Sequence, residues 1–108
     1  MLRILAPYTA YCGKAYKLHL FEITDGKVSH HPVQQETAYT LYVQGIAIVG
    51  SDLDIEAVSA RIRALADSHT PLADICTDIA TICTTSEACT AYAATFPFQS
   101  LQRITEKK

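Results

Sequence analysis

Cys12 stands beside Gly13 and Lys14, in a stretch that follows Pro7, is rich in small and tyrosine residues and reads as a loop through Gly13. A neighbouring ammonium favours the thiolate, and a glycine lets a ligand or a second chain come close to the backbone, so this is the setting of a reactive or ligating thiol. No histidine or carboxylate stands at a fixed spacing to serve as its base, which leaves a cysteine hydrolase poorly supported. The other thiols, Cys76, Cys83 and Cys89, are separated by six and five intervening residues. Closed zinc sites rely on short Cys-x-x-Cys knuckles, and there is none here, so the spacing points to small apolar thiols packed in a core. Iron–sulfur species accept thiolates at more varied spacings, and that chemistry stays open.

The histidines are less telling. His30 and His31 are adjacent, and on a strand their rings face opposite sides of the sheet, so the two cannot share one metal ion. His19 can lie across a hairpin from one of them and form a two-histidine patch. His69, ahead of Thr70-Pro71, reads as a loop residue. Gly45 to Asp52 resembles a strand feeding a helix N-terminus, but it lacks the phosphate-cradling G-x-G-x-x-G and the Walker lysine, and Asp52 and Asp54 would repel an anion. Helix capping accounts for these residues.

These groups must be positioned by a chain of 108 residues, which is one domain with a real core. Hydrophobic residues make up 49% and charged residues 19%, with a mean hydropathy of +0.11, so the chain packs thoroughly or leaves an apolar face for a partner. A net charge of −2 gives no positive field for a phosphate backbone, which disfavours nucleic acid. No apolar run reaches the roughly 18 residues that span a bilayer. Met1 to Ala6 breaks at Pro7 and reads as a strand, not a signal peptide, and the cysteines read as mostly reduced, in a cytoplasmic protein.

The apolar patterning predicts a strand over Leu2–Ala6 and a longer one over residues 15–23. In the longer strand Leu18 and Leu20 face one way, then Phe21 and Ile23 are apolar on the other, which marks a bulge or burial on both faces. Asp25-Gly26 is a turn dipeptide, so Lys27 to Val33 returns as a hairpin partner. Residues 37–49 read either as strand, from Thr37, Tyr39, Thr40, Tyr42 and Val43, or as a short helix closed by Gly45. Ile46–Val49, bounded by glycines, reads as a central strand. Ser51 or Asp52 caps a helix over Leu53–Asp67 that buries Ile55, Val58, Ile62 and Leu65. Leu72, Ile75, Ile79 and Ile82 fit a helix, although Ile79–Cys83 also fits a buried strand. Thr84 and Glu87 form a capping box that opens a helix through about Thr95, stopped by Pro97. Phe98–Ile104 is a last strand. The fold expected is a single α/β domain over 1–104, with α+β as the variant: one mixed sheet of about four to six strands, two or three helices, and a frayed tail at 105–108.

Tyr11-Cys12-Gly13-Lys14-Ala15, the strand ending Leu20-Phe21-Glu22-Ile23 and the turn Asp25-Gly26-Lys27-Val28 together resemble the opening of the dinitrogenase iron-molybdenum cofactor biosynthesis family. The likeness covers about 20 residues and is followed by a looser one in the helix with Ala60 to Leu65. It implies a ribonuclease-H-like α/β layout and a non-enzymatic accessory or carrier protein for an iron–sulfur or iron–molybdenum cluster. The cofactor-binding positions it implies are Tyr11, Cys12, Gly13 and Lys14, with Cys12 as the metal ligand. Gly13 and Ala15 hold the family positions and Lys14 replaces an arginine. Tyr11 and Cys12 stand where the family has histidine and phenylalanine, so the histidine that would contact the cofactor is absent.

A different class of function follows from Tyr8, Tyr11, Tyr16, Tyr39 and Tyr42. Tyrosine offers large amphipathic contact area, and these side chains could form the surface of a small protein-interaction module or inhibitor. A protein partner, or a second copy of the chain, fits either class. A small thiol-dependent enzyme using Cys12 is the third reading.

Overall fold

The computed structural model describes residues 2–33, 40–83 and 88–105. Its elements are β1 (Leu2–Leu5), β2 (Tyr8–Tyr11), β3 (Lys14–Lys17), β4 (His19–Thr24), β5 (Lys27–Pro32), β6 (Thr40–Tyr42), β7 (Gly45–Gly50), α1 (Ile55–Asp67), α2 (Leu72–Ala80), β8 (Thr90–Thr95) and β9 (Gln102–Ile104). They build two mixed sheets, ordered β5-β4-β1-β6 and β3-β2-β7-β8-β9. In each, one pairing is parallel, β1 with β6 and β2 with β7, and the rest are antiparallel.

Three stretches of chain pass from one sheet into the other at a bend: Ala6-Pro7 between β1 and β2, Leu18 between β3 and β4, and Val43-Gln44 between β6 and β7. Hydrogen bonds carry the pairing through the corner, from Leu18 N–H to the Pro7 carbonyl at 3.2 Å and from Val43 N–H to the Leu5 carbonyl at 2.8 Å. Leu18 takes φ +53°. That left-handed residue ends β3 and starts β4, just before the slip in alternation read from Leu18, Leu20 and Phe21; within β4 both Leu20 and Phe21 are buried, on opposite faces.

The domain has three layers. Between the sheets lie Ile4, Phe21 and Ile23 from one and Ala47, Val49 and Ala91 from the other. On the far side of the five-stranded sheet, Ala10, Ile46 and Ile48 meet Val58 and Ile62 of α1 and Ile75, Cys76 and Ile79 of α2. β7 is buried on both faces because its side chains alternate between these two cores. α2 lies on β2, β3 and β7, and α1 packs against α2. Arg61 of α1 ties the helices together with a two-point bond to Asp78, at 2.5 and 2.8 Å.

The observed class is α+β, with two sheets where one was expected. The break at Leu18 and its neighbouring bends explains the difference. Tyr8 to Tyr11 forms β2 where the sequence suggested loop, because it pairs on both sides, with β3 and β7. The helix from Leu53 begins two residues later and is capped by Asp54, whose carboxylate accepts from Ala57 N–H at 3.1 Å, in place of Ser51 or Asp52. Val58 and Ile62 are buried as expected, with Ile55 and Leu65 partly so. Residues 72–80 are helical, which removes the strand alternative for Ile79–Cys83.

Residues 90–95 overturn the predicted helix through Thr95. They form β8, antiparallel to β7, because the second edge of that buried strand must be paired and the alanines at 91 and 94 fit closely on either face. Gly45 makes room for them: with φ +144°, a Cβ there would stand 2.2 Å from the Ala94 carbonyl oxygen. The capping pair Thr84 and Glu87, the ambiguous residues up to Tyr39, and the tail beyond Thr105 lie outside the described residues.

Candidate functional site

Cys12 and Gly13 form the turn between β2 and β3, both left-handed at φ +47° and +80°. This is the backbone of a tight two-residue hairpin, so Cys12 sits exposed at its tip. Gly13 N–H donates to the Ala80 carbonyl at 2.9 Å, which fastens the tip to the end of α2. Cys83 follows three residues beyond that anchor, buried, with its thiol on the Ile79 carbonyl at 3.4 Å. Cys89 arrives from the other side. Its N–H donates to the Gly26 carbonyl at 3.0 Å, and Gly26 lies so close that a Cβ would stand 2.6 Å from that of Ala88. The turns β2–β3 and β4–β5, the end of α2 and the approach to β8 therefore bring Cys12, Cys83 and Cys89 to the same end of the domain.

None of the four cysteines is in a disulfide. Burial pushes the Cys76 thiol up to about 12 and the Cys83 thiol up to about 11, and also raises Cys89. A charge on Cys12 adds to the cost of burial at both Cys83 and Cys89, so Cys12 lies within electrostatic reach of each. The buried thiols stay protonated at neutral pH, so Cys12 is the accessible one. Among the described residues no three His, Cys, Asp or Glu side chains form a group able to hold a metal ion.

Beside the thiols runs a strip of rings. Tyr11 lies edge-on to Phe21 at 5.4 Å and to His30 at 5.7 Å, and burial, then the charges of Cys89 and Cys12, raise its phenol. Tyr16 stands 4.5 Å from His30 and 5.0 Å from His19, with the Lys14 ammonium 5.2 Å over its ring. His19 and His30 face each other across the β4–β5 hairpin, Nδ1 to Nδ1 at 3.3 Å. The two-histidine patch expected from the Asp25-Gly26 turn is therefore present, formed by His30; exposed His31 belongs to the other face of the strand.

Tyr11, Cys12, Gly13, Lys14 and Tyr16 thus come together on one hairpin. The remaining tyrosines are divided: Tyr8 packs toward the helices, Tyr42 is exposed at the bend between β6 and β7, and Tyr39 lies outside the described residues. At that bend an open apolar groove of about 520 Å³ is lined by Leu5, Leu18, Tyr42, Val43, Leu72 and Phe96, among others. Leu18 and Tyr42 are more than half exposed at 53% and 57%. The groove has one trace in the sequence, the slip in alternation at Leu18.

Comparison with protein-family models, curated proteins and solved structures finds no match to this chain.

Proposed function

We propose that this protein is a non-enzymatic accessory or carrier protein that takes an iron–sulfur or iron–molybdenum type of cluster at Cys12 and passes it to a protein partner. The observation that carries the reading is the placement of Cys12: an exposed thiol at a hairpin tip, with Cys83 and Cys89 in electrostatic reach. Thiolate is the common ligand of such clusters. An accessible thiol in an open setting suits a cargo that must leave again. Lys14 adds a positive charge one residue beyond the turn, which suits an anionic cluster.

The likeness of Tyr11–Ala15 and the following hairpin to the cofactor biosynthesis family supports the same reading. A ribonuclease-H-like origin is part of the proposal; in its favour is the meander β1-β4-β5, to which β6 adds in parallel beside β1. Further ligands would come from the protein partner or from a second copy of the chain, since among the described residues Cys12, Cys83 and Cys89 do not form a group able to hold a metal ion. A reducing, cytoplasmic setting belongs to the proposal as well, since the chemistry needs the thiols reduced. Anaerobic reconstitution with iron and sulfide, read by visible absorption in wild type and Cys12→Ala, tests it.

The exposed Leu18 and Tyr42 at the groove favour a second reading, a small protein-binding module or inhibitor. A monomer by light scattering that recovers no partner in a pull-down counts against that one.

A further inference from the structure

We infer that His19 and His30 form a clip for a borderline divalent ion such as Zn²⁺ or Cu²⁺, bound between their Nδ1 atoms on the face of the β4–β5 hairpin. The site is separate from the Cys12 thiol and does not rest on the cluster reading above.

Four observations carry it. The hairpin register pairs Phe21 with His30 and His19 with Pro32, so the two histidines are diagonal neighbours on one face of the sheet. Their Nδ1 atoms point at each other across 3.3 Å. Without an ion, one tautomer lets a ring N–H donate to the other ring across this gap. The gap also matches the edge of a tetrahedral site, because two nitrogens held at about 2.0–2.1 Å from zinc lie about 3.3–3.4 Å apart. The two nitrogens already stand at the separation that a shared ion requires.

The rings are also held in place before any ion arrives. His30 stacks on Phe21 at 4.9 Å with an interplanar angle of 18°, and Tyr16 packs on both imidazoles. Supporting contacts of this kind fix ligand orientation and so strengthen a site. Both histidines are half-buried, and β5 is the edge strand of its sheet, so the outer coordination positions remain open to water or to a ligand from another molecule. Such an open site binds an ion without enclosing it. Imidazole nitrogen selects zinc, copper or nickel over magnesium or calcium. One group works against binding, the Lys14 ammonium; burial first, then the charges of His30 and Lys14, also disfavour a proton on His19. Replacing Lys14 should tighten the site.

The test is titration of the full chain with Zn²⁺ alone, followed calorimetrically, in wild type and in His19→Gln, His30→Gln and His31→Gln. A single equivalent is expected to bind wild type, with affinity reduced about tenfold or more in His19→Gln and in His30→Gln. His31→Gln should bind as wild type does. Because His30 packs on Phe21, its variant must first be shown to be folded by circular dichroism. Nitrogen-detected imidazole spectra of wild type provide a readout that needs no variant, and Zn²⁺ should move the Nδ1 resonances of His19 and His30 and leave those of His31. Equal loss in His31→Gln, no uptake by folded wild type, or unmoved His19 and His30 resonances would each overturn the inference.

Discussion

Replacing Ile62 by alanine should be the most damaging single truncation in α1. Ile62 has no exposed surface and sits among Val58, Ile75, Ile79 and Ile48, between the helices and the five-stranded sheet. The change deletes three carbons, worth about 0.8 kcal/mol each in transfer, so about 2.4 kcal/mol before any cavity is counted. With the void left behind, a loss of about 3–4 kcal/mol is expected, within the usual range of about 2–5 for such truncations. For a chain of this length the unfolding entropy is about 0.23 kcal/mol per kelvin, so the melting temperature should fall by about 13–17 °C. Arg63 provides the internal comparison. Its guanidinium donates to the Gln99 carbonyl at 2.7 Å and lies 5.6 Å over the Phe98 ring, both at the surface. Arg63→Ala should cost about 0.5–1 kcal/mol, a shift of about 2–4 °C. Thermal and urea melts followed by far-ultraviolet circular dichroism measure both. If the two variants lose the same stability, the assigned buried face of α1 is wrong.

Three further outcomes follow from the geometry. Under native conditions iodoacetamide should modify Cys12 first, with Cys76, Cys83 and Cys89 reacting only as the chain opens; mass-mapped labelling of a buried thiol at the same rate would contradict their placement. Burial raises the thiol of Cys76 far above its unfolded value of 9.0, so the unfolded chain loses this proton first as pH rises. The corresponding stability is intact below about pH 9 and is lost between there and about 12; urea midpoints that decline over this window in wild type and less steeply in Cys76→Ala would bear this out, and parallel curves would not. Gly45→Ala should destabilise strongly, since its Cβ would meet the Ala94 carbonyl oxygen at 2.2 Å; a melting temperature within about 2 °C of wild type would mean that β7 and β8 are not so tightly apposed.

Elements whose pattern is set by their own residues were legible in the sequence. Ile46–Val49 between glycines reads as a strand buried on both faces, and Val58 with Ile62 marks the inner face of α1. The Asp25-Gly26 turn marks the hairpin, which is enough to bring His19 across from one of His30 and His31; that it is His30 comes from the structure. β8 was not legible, because a capping-box pattern and an alanine-rich stretch favour helix locally, while the unpaired edge of β7 decides for strand. The two-sheet split had only the slip at Leu18 as a signal. Within the site, the exposed Cys12 turn could be read from its neighbours. The approach of Cys83 and Cys89 could not, since it depends on where α2 ends and on Gly26 receiving the backbone before β8.

Anaerobic reconstitution with ferrous iron and sulfide, followed by desalting and a visible absorption spectrum, addresses the carrier function most directly. Wild type should emerge coloured, with bound iron and sulfide in proportion, Cys12→Ala should emerge colourless, and Cys76→Ala, which alters a thiol buried deeper in the core, should keep its colour. A colourless wild type, or an unchanged spectrum in Cys12→Ala, would contradict the proposal that Cys12 holds the cluster.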